Sequence, residues 1–146
     1  MKKSKRFTVL AELAKSKEQA AVIALGQSNK VHAENIKKLE SLKQYRLEYI
    51  EKFTQTGQTG MPVNNMHTYK NFIEGIEQAI NEMKVLIVES EQQCNESRKI
   101  WQHVHSKTEV MKSTVNRYKK QELDEDNRQE QKETDDRPAK SSSHIE

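Results

Sequence analysis

The side chains best equipped for chemistry in this sequence are a single cysteine, Cys94, and the close histidine pair His103 and His105. A two-residue spacing sends helical side chains to different faces, whereas a shared metal ion needs partners one turn apart, so the histidines read as solvated surface groups. Cys94 has no second cysteine for an intramolecular disulfide, and on an apolar row it acts as a small buried hydrophobe. The sequence carries no Gly-rich phosphate loop, no G-x-S-x-G nucleophile turn and no H-E-x-x-H zinc pair. The expectation is a chain that is not an enzyme, with no catalytic residue, metal or cofactor, and that works by binding.

A hydrophobic content of 33% is too low for a thick globular core, yet the apolar residues recur with strong regularity. That combination suits an elongated all-α protein in which each helix buries one stripe. Charged residues make up 32% with a net charge of +3, so both signs are mixed and Lys and Arg alternate with Glu. Nucleic acid, which calls for a continuous basic stripe, is not an expected partner. The opening MKKSKRF is followed by a segment that Glu12, Lys15 and Lys17 interrupt, which is no signal peptide. No stretch approaches the roughly 18 apolar residues of a membrane span, and a soluble, cytoplasmic protein without membrane insertion is expected.

Between Arg6 and Thr54 there is no proline and one glycine, Gly26, among many good helix formers. This predicts a first helix over about 6–54. Gly57, Gly60 and Pro62 then concentrate the breakers in a bend over about 55–65, with Asn64 or Asn65 available to cap a second helix. That helix is expected over about 66–122, and the Glu-, Gln-, Lys- and Arg-rich stretch beyond can extend it to 136. Two helices of similar length with a short polar connection should pair antiparallel, making 1–136 one coiled-coil hairpin of about 75 Å, with 137–146 a disordered tail.

The sharpest signal lies in the second helix. From Tyr69 through Ile73, Ile76, Ile80 and on to Val115 and Tyr118, apolar or small residues alternate four- and three-residue steps, the period of a coiled-coil seam. Trp101 falls on it and is too bulky to be fully covered. The first helix is less regular: Leu10, Ala14, Ala21, Ala24 and Val31 follow one phase and Leu39, Leu42, Tyr49 and Phe53 another, so a stutter or a locally polar seam is expected, with His32 and Asn35 near the change.

Beside the seam runs a second apolar stripe, Phe72, Ile76, Ala79, Met83 and Leu86, and the first helix sets Leu42, Tyr45, Tyr49 and Ile50 at the same level. Two helices cannot cover two stripes on each. Tyr45 and Phe72 should therefore face water in a monomer, and an exposed apolar patch marks a binding surface. The bland reading of the same patch is a generic coiled coil that oligomerises through it.

Several stretches, taken in order, resemble the flagellar FliJ family. They are Leu39-x-x-Leu42-x-x-Tyr45-x-x-x-Tyr49, Tyr69-x-x-Phe72-Ile73-x-x-Ile76-x-x-Ala79-Ile80, Lys99-Ile-Trp101 and the tail Glu130-Gln131-Lys132-x-x-Asp135-Asp136. The resemblance implies a component of the flagellar type III export apparatus, held at the cytoplasmic face of the inner membrane at the flagellar base. It implies an antiparallel hairpin whose terminal half enters the hexameric flagellar export ATPase ring. It also implies contact with the cytoplasmic domain of the membrane export gate and an escort role for export chaperones. Carried onto this sequence, the gate-contacting residues are Leu42, Tyr45, Tyr49, Phe72, Ile76, Ala79 and Met83. The ATPase side is Phe7, Leu10 and Leu13 with Glu130, Gln131 and Lys132. A monomeric stalk is expected.

Overall fold

The computed structural model describes residues 2–58, 60 and 62–136; the tail expected over 137–146 lies outside them. The described residues form two helices, α1 (Lys3–Gly57) and α2 (Val63–Asp136), and no strand. α1 runs three residues past each end expected from composition, while α2 starts three residues earlier than expected and ends at 136, as its polar stretch allowed. Gly57 ends α1, and Gly60, at a φ of 87°, turns the chain in a left-handed conformation that a side chain would resist. Asn64 and Asn65 are inside α2 and do not cap it. The Pro62 carbonyl accepts instead from the Asn65 and Met66 amides at 3.0 and 3.3 Å, and proline suits this place because its missing N–H would have no helical partner.

Helix pairing is antiparallel wherever the two helices meet. The fold is thus the expected all-α antiparallel hairpin, and its residues cluster into two compact units. One unit joins α1 up to Gln19 with α2 from His103 on; the other holds Ala20–Gln102.

Every position of the α2 seam, from Tyr69 to Tyr118, is buried or half-buried. The four-three alternation keeps one face of a helix in register with a partner, so the row stays inward along its length. The same periodicity holds in α1, and of the two expected causes of its irregularity the structure has the locally polar seam and not the stutter. Buried and half-buried positions step by three and four without a slip from Ser4 through Phe7, Ala14, Ala21, Leu25 and Leu39 to Tyr49 and Phe53. The seam looked shifted in sequence because Ser4, Glu18, Ser28, His32, Asn35 and Arg46 occupy inward places, while the apolar Leu10, Ala24 and Val31 lie on the outer side of it.

Four of those polar seam residues, Ser4, Glu18, Ser28 and His32, are paired across the helices. Within Ala20–Gln102, Ser28 Oγ lies 2.9 Å from Ser97 Oγ, and His32 Nδ1 lies 2.7 Å from Ser90 Oγ. The small α2 residues thus leave room for a larger α1 side chain. In the other unit, His105 Nδ1 lies 2.6 Å from a Glu18 oxygen, so His105 is no freely solvated histidine. Thr108, fully buried, donates to the Ala14 and Val104 carbonyls, and the Ser4 hydroxyl and amide donate to Glu122 at 2.6 and 3.1 Å. Among the described residues no buried side-chain nitrogen or oxygen lacks a partner. Each pair is satisfied only in this register, so a slide of one helix along the other leaves polar groups unpaired.

Two of these pairs make the terminal unit sensitive to acid. The hydrogen bond from His105 holds the Glu18 carboxyl below its ordinary 4.5, against a smaller opposing effect of lost water. Ser4, through its hydroxyl and then its amide, does the same to Glu122. A carboxyl depressed in the folded state contributes stability above its unfolded value and loses it as pH falls through the lower folded value. An E18Q/E122Q double variant should be less stable than the parent chain at neutral pH, with the gap closing on acidification below 4.5. Thermal melts over pH check this, and a gap constant with pH would remove the carboxylates from the account.

Candidate partner-binding surface

Towards the bend the seam becomes aromatic. Phe53 and Tyr69 stack with ring centroids 3.4 Å apart, Tyr69 and Tyr49 at 5.4 Å, and Tyr49 tilts against Phe72 at 4.2 Å. Phe72 meets Tyr45 edge-on at 5.8 Å. The rings thus alternate between α1 and α2 in a continuous ladder, each contact adding to the apolar area it hides. Loss of water around the Tyr69 hydroxyl, helped by Tyr49, raises its pKa and keeps it neutral.

The two ends of this ladder differ because of the helical rows they occupy. Phe53, Tyr49 and Tyr69 are seam residues and half-buried. Tyr45 and Phe72 each sit one residue before a seam position, Arg46 and Ile73, at the edge of the interface. With no third helix over that edge, their outer faces remain open, 48% and 37% exposed. Leu86 and Ile50 are exposed too. Leu42, Tyr49, Ala79 and Met83 are half-buried around them, and Ile76 is buried beneath, where it supports the patch without presenting a face. The seven residues named for the gate thus divide into two open rings, four flanking side chains and one core isoleucine.

The residues named for the ATPase side are spread more widely. Phe7 is half-buried and lies 5.0 Å from the Tyr118 ring, which makes it part of the interface. Leu10 and Leu13 are exposed on α1. Glu130, Gln131 and Lys132 are exposed on α2 beyond Asp126, the residue that Lys2 meets at 3.5 Å.

The sequence reading missed the polar pairs of the seam. The signal for them was the unbroken three-four row of α1, visible once polar residues are admitted to it. Trp101 is half-buried and Cys94 buried with a free thiol. His103 is exposed. Among the described residues no group of His, Cys, Asp and Glu is arranged to hold a metal ion, and no helix is long and apolar enough to cross a membrane. The surface near the bend offers aromatic and aliphatic contact area.

The family model described as flagellar FliJ protein matches residues 2–143. A search of the curated proteins found no match to the chain.

Proposed function

Because the chain belongs to the flagellar FliJ family, and is therefore a flagellar export-related component, we propose that it is a non-catalytic stalk and adaptor of the type III export apparatus. Its terminal half seats in the hexameric export ATPase ring. Its aromatic patch docks on the cytoplasmic domain of the membrane export gate, at the cytoplasmic face of the inner membrane, and the chain escorts export chaperones. Tyr45 and Phe72 supply the contact, Leu42, Tyr49, Ala79 and Met83 border it, and Ile76 holds it from below. Phe7, Leu10 and Leu13 with Glu130, Gln131 and Lys132 belong to the ATPase side.

The observation that carries this reading is the pair of open rings at the end of an otherwise closed aromatic ladder. Large aromatic faces left in water are costly, and aromatic residues are the commonest anchors at protein interfaces. The test is a reconstitution from purified parts. The chain alone should hydrolyse no ATP, should raise the turnover of the export ATPase, and should bind the isolated gate domain as a monomer by sedimentation. Absence of stimulation sinks the ring half of the proposal, and an obligate dimer that buries the patch sinks the gate half in favour of a coiled coil that only oligomerises.

A further inference from the structure

In the unit that joins α1 up to Gln19 with α2 from His103, a trough runs between the helices, and we infer that it is a docking site for an amphipathic helix with acidic flanks, supplied by a partner protein. Its floor is Ala14, Val104 and Met111, all half-buried. Its walls are Leu10 and Leu13 from α1 and Val110 from α2, exposed by 44%, 54% and 64%. Three large aliphatic side chains around an apolar floor form a contiguous patch that water covers poorly.

The charge around this patch has one sign. The outer rows that carry the walls step by three and four residues, as Lys3, Arg6, Leu10, Leu13 and Lys17 on α1 and as His103, Lys107, Val110, Thr114 and Arg117 on α2. Neither row contains an Asp or Glu. Lys17 and Lys107 border the trough itself. At its other end Lys3 and Arg117 stand 5.8 and 5.5 Å from the Tyr118 ring centroid. The opposite edge of the same helix pair is mixed, with Glu12 on α1 and a Glu109–Lys112 pair at 3.6 Å on α2. An apolar centre with cations at both ends is complementary to an apolar stripe edged by carboxylates.

The shape decides between occupants that share this charge. A third helix lies naturally in the groove between two others, its own ridge filling the trough. A bilayer is flat and would leave the half-buried floor unfilled. Nucleic acid would set phosphates over Leu10, Leu13 and Val110, where no donor meets them. The acidic end of α2 in a second copy, 121–136, has the charge but one apolar residue, Leu123, and cannot cover three walls. Leu10 and Leu13 are also among the residues assigned above to the ATPase side, but the inference rests on the trough and its charge, and peptide binding to the isolated chain is read separately from any stimulation of the ATPase.

The experiment uses the full-length chain and two fluorescent helical peptides, alike in a leucine stripe at three- and four-residue steps and flanked by Glu in one and by Lys in the other. By anisotropy, the Glu peptide should bind at least about tenfold more tightly than the Lys peptide, the difference shrinking as salt is raised. Leu13→Ser with Val110→Ser should weaken Glu-peptide binding by about tenfold at unchanged helicity, since both side chains are already in water. Lys17→Glu with Lys107→Glu should reverse the preference, a result that loss of folding could not produce. Equal binding of both peptides, binding of neither, or an unreversed preference overturns the proposal. So does tighter binding to phosphatidylserine vesicles or duplex DNA than to the Glu peptide, or self-association that occludes Val110.

Discussion

Shortening Ile80 to alanine should lower the stability of the Ala20–Gln102 unit by about 3 kcal/mol, and Ile80→Asp should abolish its cooperative folding. Ile80 is 2% exposed, the most hidden of the few apolar side chains that are fully inside among the described residues, a group completed by Ala21, Ile76, Cys94 and Val115. Two helices bury a narrow stripe, so few side chains supply most of the transfer free energy and each carries a large share. Alanine leaves a cavity that two helix backbones cannot close. Aspartate adds a charge with no partner in a seam where, among the described residues, every buried polar side-chain atom has one. Val85→Ala, on the exposed face of the same helix, is the control and should cost less than about 0.5 kcal/mol. Urea titration followed by circular dichroism separates them. A cost for Ile80→Ala similar to that for Val85→Ala would mean that this stretch of the seam is not packed.

Joint replacement of Tyr45 and Phe72 by alanine should weaken binding to the gate domain by about 100-fold while leaving helicity and monomer state unchanged. Their situation is the inverse of that of Ile80. Both rings pack against each other and Tyr49 with one face only, so truncation removes little that the isolated chain needs. It would remove the largest apolar area that a partner could cover. Tyr45→Phe should bind nearly as well as tyrosine if ring area is what matters, and Ile50→Ala, at the rim, should have a small effect. Comparable loss of helicity in the double variant would make these rings core and end their candidacy as a docking surface. Unchanged gate affinity at full helicity would remove these rings from the proposed gate contact.

The two seams differ in how plainly the sequence displays them, and the cause is chemical. The α2 seam was legible because its inward positions are nearly all apolar or small, so hydrophobicity and periodicity coincide. The α1 seam was not, because Glu18, Ser28, His32, Asn35 and Arg46 keep the period and break the hydrophobicity. A polar residue reads as solvent-facing unless its partner is known, and those partners lie on a helix many tens of residues away: His105 for Glu18, Ser90 for His32 and Ser97 for Ser28. The same gap placed His105 in solvent and Leu10 and Val31 in the seam. Cap chemistry failed for a local reason: Asn64 and Asn65 are good caps, but the Pro62 carbonyl already takes the first helical amides.

By itself the sequence determined the two helices, their breakers around Gly57, Gly60 and Pro62, and the surplus of apolar residues beside the seam. These come from backbone propensity and from a period that any isolated helix displays. Family membership was legible too, as an order of short motifs. Only tertiary structure decided the register. It is set by matched polar pairs across the helices, and it sorts equally apolar residues into core, such as Ile76 and Ile80, and open surface, such as Tyr45, Phe72, Leu13 and Val110. Side chains one residue apart on a helix differ by about 100° in direction, so which of two neighbours meets the partner depends on where that partner lies.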